Sequence, residues 1–181
     1  MAKLLYSVTA STDGFIAGPG GDMSWLSDHL GGESDPMVDE LVARVGAVLV
    51  GRRTFFGDDP NAGTENEGAF EGRWDGPQFV VSRDRDLVVP DGVELVHDVV
   101  EAAARARAAA GEDYVNVVGA DAARSCLLAG ELDEVLVLTA PVLLGDGTRL
   151  FDHPGGTDVR LERLRASTPT RSVNAWYRVV R

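Results

Sequence analysis

Three short apolar runs in this chain each end in a glycine or a polar turn, and each turn leads into residues that favour a helix. The three segments are VLVGRRTF (48–55), FVVSRD (79–84) and NVVGADAAR (116–124). Continuous apolar runs of this length are typical of strands that are buried on both faces of a parallel sheet. Since parallel strands must be joined by crossovers long enough to hold a helix, the pattern predicts an α/β fold.

The rest of the chain extends this pattern to a mixed sheet within one domain, residues 1–181. Further strands are predicted at 3–9, 93–97 and 133–143, and further helices from Asp35 to Val45, at 98–111 and at 120–130. The segments 159–168 and 172–181 alternate apolar and polar residues, which predicts an antiparallel pair of strands. Residues 57–77 are rich in glycine and acidic residues, and they predict an exposed loop rather than a linker between domains.

The composition argues against several classes of partner. The formal net charge of −12 would repel a nucleic-acid backbone. No apolar run approaches the roughly 20 residues of a membrane span, and the three histidines have no neighbouring ligands at the spacing of a metal site. The single cysteine, Cys126, cannot form an internal disulfide and fits a reducing compartment. These features predict a cytoplasmic protein with no metal, membrane or nucleic-acid partner.

The most common nucleotide-binding motifs are missing from the sequence. Lys3 is the only lysine, so there is no phosphate-binding loop of the G-x-x-x-x-G-K type, and GPGGD (18–22) does not match the dinucleotide fingerprint. The three strand-to-helix turns remain, because exposed helix N-termini bind anions. Two of the turns also carry arginines, which are Arg52, Arg53, Arg83 and Arg85. Any one arginine fits a solvated surface charge, but three such turns at one sheet edge predict a phosphorylated ligand.

Several longer segments resemble the dihydrofolate-reductase-like superfamily, and especially the reductase domain of riboflavin biosynthesis and its relatives. The matching segments, in the family's order, are SVTASTDGFIAGPGG (7–21), MSWL (23–26), GAVLVGRRTFFGDDP (46–60), FVVSR (79–83) and VVGADAARSCLLAGELDEVLVLTAPVLLGDGTRLF (117–151). The resemblance implies a three-layer fold. In that fold, helices cover both faces of a mixed, mainly parallel eight-stranded sheet that ends in a carboxyl-terminal antiparallel hairpin.

The same resemblance implies an NADPH-dependent oxidoreductase that binds its cofactor across the carboxyl edge of the sheet. The segment GPGGDMSWL (18–26) would form a mobile flap over the active site, and the family commonly forms homodimers. Thr9 and Ile16 would lie near the nicotinamide, Gly51, Arg52, Arg53 and Thr54 at the phosphates, Ser82 and Arg83 at the adenosine 2′-phosphate, and Gly119, Ala120 and Asp121 under the pyrophosphate.

Three carboxylates and one tryptophan are candidates for contact with a small-molecule substrate. The spacing from Asp35 to Gly51 is like that of the carboxylate that touches the pterin in dihydrofolate reductases, but Asp-Pro at a helix start also predicts an N-cap. Asp58 and Asp59 resemble the D-D-P element beside the ribose in riboflavin-pathway reductases, where Asp59 could assist protonation. They equally fit a surface turn. Trp25 could stack on a planar substrate or pack beneath the flap.

The predicted reaction is the NADPH-dependent reduction of a ribosylamino group to a ribitylamino group on a small pyrimidine, or the reduction of a related pteridine. Two departures from the family bear on this prediction. NAGTEN (61–66) replaces the expected L-T-x-R segment and its phosphate-binding arginine, and Ala120 stands where a second glycine is common. Two alternatives therefore stay open: dihydrofolate reductase activity, and a non-catalytic NADP-binding protein that has lost its substrate site.

Overall fold

The computed structural model of the protein describes residues 1–27, 35–57, 59, 61, 63–65, 67–70, 72–169 and 172–181. The strands among these residues are β1 (Leu4–Ser11), β2 (Phe15–Ala17), β3 (Val45–Gly51), β4 (Gln78–Val81), β5 (Val93–Val96), β6 (Tyr114–Val118), β7 (Glu134–Ala140), β8 (Thr148–Arg149), β9 (Leu161–Ser167) and β10 (Val173–Val179). The α-helices are α1 (Pro36–Ala43), α2 (Arg52–Phe55), α3 (Val99–Ala110) and α4 (Ala120–Leu128). Short 3₁₀ turns lie at Pro19–Gly21 and Ser24–Leu26.

Eight of the strands form one sheet in the order β5-β4-β3-β6-β1-β7-β10-β9. The strands from β5 to β7 are all parallel, and β10 runs antiparallel to both β7 and β9. The sheet is therefore mixed and mainly parallel, and it ends in a carboxyl-terminal antiparallel hairpin, as predicted. Because the parallel strands run in the same direction, their carboxyl ends lie along one edge.

One face of the sheet is covered by α3 and α4, whose buried side chains are mostly alanines. Ala102, Ala103 and Ala106 are fully buried in the core against β3 and β6. These small side chains let α3 lie close to the sheet. A Cβ on Gly46 of β3 would lie 2.7 Å from the backbone of Ala110, so the close approach requires glycine at this position.

The opposite face is covered by α1. Met37 and Leu41 of this helix pack in a second core with Val48, Leu136 and Trp176 of the sheet. Helices thus lie on both faces, and the three-layer arrangement implied by the resemblance is confirmed.

Three details of the fold differ from the prediction. The turn after β4 leads into no helix, because Pro90 and the turn at Asp91 and Gly92 follow it and residues 82–92 form a loop to β5. The strand expected at 133–143 ends at Ala140, because the chain turns there and Val142 accepts a hydrogen bond from the Thr12 amide at 2.8 Å. The small antiparallel pair of β2 and β8 was not predicted, since β8 is too short to show a periodic pattern. The described residues of 57–77 contain no helix or strand, which confirms the predicted loop.

Candidate functional site

The three turns singled out in the sequence lie next to one another at the carboxyl edge of the sheet, but only those after β3 and β6 lead into a helix. Gly51 at the end of β3 pairs with Val81 at the end of β4, and Val50 pairs with Val118 at the end of β6. Neighbouring strands lie about 4.8 Å apart. The structure therefore brings all three turns together on one rim.

Gly119 lies close to Thr54 of the neighbouring turn. Its φ of 94° is rare for residues other than glycine, and a Cβ there would lie 2.2 Å from Oγ1 of Thr54 on α2. Gly119 is also the N-cap of α4 and gives the helix no side-chain cap. The first backbone N–H groups of α4 can therefore bind an anion. Ala120 lies inside this helix, where no second glycine is needed.

A cleft of about 290 Å³ opens beside the start of α4. Its lining consists of Arg53, Ala120, Asp121, Arg124, Gly147, Thr148, Arg149 and Asp152. Arg53 forms an ion pair with Asp121, and Nη2 of Arg124 lies 3.3 Å from Oδ1 of the same aspartate. The Arg53 side chain is 80% exposed, and ion pairs at such exposure are weak. A phosphate group could therefore replace Asp121 as the partner of Arg53.

Two arginines of this cleft were missed by the sequence prediction. Arg124 lies one helical turn after Asp121 on α4. The helical repeat alone would have placed these two side chains on the same side of the helix. Arg149 lies on β8, and its guanidinium carbon lies 4.5 Å from the ring centre of Phe15 on β2. No local pattern points to Arg149, because its position depends on the pairing of β2 with β8.

Ser82 and Arg83 lie at the neighbouring turn after β4. Ser82 is buried, and its Oγ accepts a hydrogen bond from the Asp84 amide at 3.1 Å. Its carbonyl oxygen lies 2.8 Å from Nδ1 of His97. Arg83 is exposed on the rim, and Arg52 of the adjacent turn lies 3.3 Å from Asp84 (Nη1 to Oδ2). This part of the rim therefore offers an anion the Ser82 hydroxyl, Arg83 and, from the adjacent turn, Arg52.

A row of paired residues crosses the α1 face of the sheet near its carboxyl edge. Thr9, Leu138, Asn174 and Ser167 are paired in succession across β1, β7, β10 and β9, and we call them the Thr9–Ser167 row. Paired residues of neighbouring strands project to the same face. Thr9 and Leu138 are half-buried, whereas Leu136, two residues earlier on the same face, is fully buried. Asn174 in the same row is 1% exposed, so burial increases along the row from β1 to β10.

Asp35 lies at the β9 end of this row and joins α1 to the β9–β10 hairpin. Its Oδ1 accepts a hydrogen bond from the Met37 amide at 2.7 Å, and its Oδ2 accepts from Ser167 Oγ and Asn174 Nδ2. Burial alone would raise the pKa of this carboxyl, but the three donors outweigh burial and hold the pKa below its ordinary value. The predicted N-cap is confirmed. Two strand spacings, about 10 Å, separate Asn174 from Thr9 at the other end of the row.

The Asp59 carboxylate bridges two amides of the loop that follows α2. Its Oδ1 accepts a hydrogen bond from the Asn61 amide and its Oδ2 accepts one from the Gly68 amide, both at 2.8 Å. Asp59 therefore makes the hydrogen bond two residues ahead that is typical of an aspartate in a turn, as predicted. Its role in protonation stays a prediction. The neighbouring Asp58 lies outside the described residues.

Two further predicted contacts lie near the amino-terminal segment of the chain. Trp25 is half-buried in the 3₁₀ turn Ser24–Leu26, whose Leu26 is buried, and Ile16 is half-buried in β2. The contact of Trp25 with substrate and that of Ile16 with the nicotinamide stay predictions.

Asp13 organises the turn between β1 and β2, and the sequence prediction missed it. Its carboxylate accepts hydrogen bonds from Ser11 Oγ at 2.6 Å, from the Gly145 amide at 2.7 Å and from the Leu144 amide at 3.1 Å. These donors, the Ser11 hydroxyl first, lower the pKa of Asp13 to about 2. The bonds connect the end of β1 with the loop after β7. The signal in the sequence is Asp-Gly after β1, a common turn dipeptide.

The described part of the chain contains no cluster of His, Cys, Asp and Glu side chains that could hold a metal ion. None of the helices in this part has the length and hydropathy needed to cross a membrane.

Known proteins resemble this one in sequence pattern and in fold. A family model described as the RibD C-terminal domain matches residues 2–173. No curated protein matches the sequence significantly. Among solved structures, a protein from Shewanella that is assigned by inference to riboflavin biosynthesis has a TM-score of 0.75 at 24% identity, with 100% of both chains covered.

Two other solved structures come from named enzymes. A diaminohydroxyphosphoribosylaminopyrimidine deaminase/5-amino-6-(5-phosphoribosylamino)uracil reductase from Thermotoga maritima has a TM-score of 0.67 at 18% identity, over 99% of this chain and 57% of that one. A dihydrofolate reductase from Enterococcus faecalis, complexed with NADP(H) and RAB-propyl, has a TM-score of 0.63 at 16% identity, over 98% of this chain and 96% of that one. The chain thus spans little more than half of the Thermotoga enzyme.

These structural similarities show that the fold is that of dihydrofolate-reductase-like proteins. The family model extends over nearly the whole sequence, from Ala2, two residues before β1, to Val173, the first residue of β10. The chain therefore belongs to the RibD C-terminal domain family.

Proposed function

We propose that the protein is an NADPH-dependent reductase of the riboflavin-pathway type. It would reduce the ribosylamino group of a small pyrimidine to a ribitylamino group by hydride transfer. One observation supports the proposal: three polar turns, two of them at helix starts, share a single rim beside an arginine-lined cleft. Membership of the RibD C-terminal domain family, and a fold shared with a dihydrofolate reductase solved with NADP(H), support a nicotinamide cofactor.

The residues of the rim fit a dinucleotide whose ribose carries an additional phosphate. The start of α4, with Arg53 and Arg124 beside it, suits the two negative charges of a pyrophosphate. The turn of Ser82 and Arg83 follows β4, two strands further along the rim, and suits the 2′-phosphate that distinguishes NADPH from NADH. Thr9, which is half-buried near the carboxyl end of β1, would then lie near the nicotinamide.

NADPH supplies a hydride when it is bound, and residues of this chain must orient the substrate and provide a proton. In the open-chain form of a ribosylamine, the hydride goes to the sugar carbon of the C=N bond and the proton goes to the nitrogen. Because three donors hold Asp35 ionised, this residue can orient the substrate and stabilise positive charge, but it does not donate a proton near neutral pH. Asp59 is the remaining candidate for relaying a proton through water.

A second candidate function is a cofactor-binding protein that does not take a phosphorylated pyrimidine. The sequence has no arginine between Arg53 and Arg73. Arg73 itself lies 3.4 Å from Asp39 of α1 (Nη1 to Oδ1). The substrate-phosphate arginine of the L-T-x-R segment therefore has no replacement nearby in the sequence.

Cofactor binding and turnover test the two candidates separately. NADPH binding is followed by the fluorescence of the three tryptophans, and turnover by the loss of nicotinamide absorbance. We expect tighter binding of NADPH than of NADH, with turnover on a ribosylaminopyrimidine phosphate and none on dihydrofolate. Binding without turnover on either substrate would support the second candidate, and absence of NADPH binding would overturn the proposal. The predicted homodimer is a separate proposal that sedimentation tests.

A further inference from the structure

Arg149 differs from the other two arginines of the cleft beside the start of α4 in having no acidic partner among the described residues. Arg53 and Arg124 both approach the carboxylate of Asp121. Arg149 is exposed and lines the same cleft, but its guanidinium meets no carboxylate within 4 Å and no hydrogen-bond acceptor in the described part of the chain. It lies against the ring of Phe15, which attracts a cation and accepts no ordinary hydrogen bond. The N–H groups of Arg149 are therefore available to an anion that enters the cleft.

Two parts of the chain line this cleft of about 290 Å³. One part is α2 with the start of α4, where the first backbone N–H groups have no side-chain cap. The other part is the segment 147–152, which contains β8 and Arg149. Because both parts border the same space, an anion held at the start of α4 can meet a helix N-terminus and a guanidinium at once.

The acidic residues of the cleft do not cancel the charge of Arg149. Its lining contains three arginines and two aspartates, so its net charge is positive in a chain whose own net charge is −12. Asp121 is already shared by two arginines, and Asp152 is exposed, so water screens its repulsion of an anion. A phosphate can bind Arg149 without breaking an ion pair, whereas at Arg53 it must displace Asp121.

The position of Arg149 along the rim indicates which phosphate it meets. The strands follow one another in the order β4-β3-β6-β1, and α4 starts after β6. β8 pairs with β2, which follows β1, and the Tyr6 hydroxyl of β1 lies 3.3 Å from the carbonyl oxygen of Leu150. Arg149 thus lies on the β1 side of the start of α4. The turn of Ser82 and Arg83, after β4, lies on the opposite side.

We propose that Arg149 binds the diphosphate of the cofactor from the side of the nicotinamide. The inference rests on the proposed function and adds a residue that no local sequence pattern marks. In a nicotinamide dinucleotide the diphosphate lies between the two riboses. With the 2′-phosphate at Ser82 and Arg83 and the nicotinamide near Thr9 of β1, Arg149 meets the diphosphate and not the 2′-phosphate. Its contribution to affinity is therefore the same for NADPH and NADH.

Fluorescence titrations with NADPH and with NADH test the inference. Arg149→Met removes the charge and keeps an unbranched apolar side chain beside Phe15, and it should weaken the binding of both cofactors about tenfold or more, by the same factor. Arg149→Lys restores the charge and should recover part of the loss. Arg83→Met is the comparison and should weaken the binding of NADPH alone. Arg160→Met is the matched control, because Arg160 is also exposed without an ion pair among the described residues but does not line the cleft. It should change neither affinity.

The outcomes separate this inference from the proposed function. Unchanged affinities in Arg149→Met overturn the role of Arg149, and a loss confined to NADPH would assign Arg149 to the 2′-phosphate instead. Equal losses in Arg149→Lys and Arg149→Met also overturn it, since the cause would then be packing rather than charge. The same holds for an equal loss in Arg160→Met, which would be an effect of net charge. A wild-type protein that binds neither cofactor overturns the proposed function, and this inference with it.

Discussion

Arg53 of α2 and Asp121 in the first turn of α4 form an ion pair across the cleft beside the start of α4. The pair joins two of the three turns on the rim, and Arg124 approaches the same carboxylate from α4. Asp121 thus occupies the position at which a phosphate would meet both arginines. The Arg53 side chain is 80% exposed, so its pair with Asp121 is weak and can be exchanged for a phosphate contact.

Replacing Arg53 with alanine should weaken NADPH binding at least about tenfold, because a charge-assisted hydrogen bond to phosphate contributes roughly 1.5–3 kcal/mol. Fluorescence titration with NADPH measures the loss. Arg105→Ala is the matched control, since Arg105 pairs with Glu94 and Glu101 near α3 and does not line the cleft. A similar loss in both variants would indicate an effect of net charge rather than a phosphate contact.

Gly119→Ala should destabilise the protein more than Gly111→Ala does. Both glycines have a positive φ, and a non-glycine residue in such a conformation costs about 1–3 kcal/mol. Only Gly119 has a neighbour within reach of a Cβ, with Oγ1 of Thr54 at 2.2 Å, whereas nothing lies within 4 Å at Gly111. Urea unfolding of the two variants measures the difference.

The additional variant Thr54→Ala identifies the cause of that difference. Combined with Gly119→Ala, it should recover most of the excess loss, because it removes Oγ1 and leaves only the Cβ of residue 54, at 3.1 Å from the added Cβ. Equal unfolding free energies for Gly119→Ala and Gly111→Ala would contradict the close approach of Thr54 to position 119.

The strands and their turns could be predicted because the information lies in short stretches of sequence. An apolar run such as 48–50 specifies a buried strand, and the glycine after it marks the turn, so the rim of the sheet followed from three local patterns. The hydrogen bond between Asn174 and Asp35 could not be predicted in this way. Asn174 and Asp35 are 139 residues apart, and their contact depends on the packing of α1 against β10. Arg149 depends in the same manner on the pairing of β2 with β8.

The stability of the protein should depend on the ionisation of Asp13. Hydrogen bonds, led by that from Ser11, lower its pKa to about 2 in the folded protein, compared with about 3.9 in an unfolded chain. A carboxyl with a lowered folded-state pKa stabilises the fold above its unfolded pKa, and this contribution is lost as the pH falls from about 4 to about 2. Asp13→Asn should therefore lower the melting temperature at pH 7.

The pH profile of that effect distinguishes ionisation from simple loss of contacts. The difference in melting temperature between the wild-type protein and Asp13→Asn should shrink as the pH falls below about 4, where the wild-type carboxyl begins to take up a proton. Asp86→Asn, at an exposed turn, is the control and should leave the melting temperature almost unchanged at every pH. A difference for Asp13→Asn that stays constant down to pH 2 would contradict the assignment.

Asp35→Asn and Asp59→Asn should affect turnover in different ways if Asp35 orients the substrate and Asp59 relays a proton. Loss of a proton-transfer group costs about 100-fold or more in rate, so Asp59→Asn should lower kcat and leave KM nearly unchanged. Asp35→Asn should mainly raise KM, and the pH dependence of kcat between pH 5 and 8 should keep its shape, because Asp35 is already ionised over that range. Steady-state kinetics with a ribosylaminopyrimidine phosphate measures both effects. Disappearance of an acidic limb of the kcat profile in Asp35→Asn would instead identify Asp35 as the proton donor, despite the three hydrogen bonds that lower its pKa.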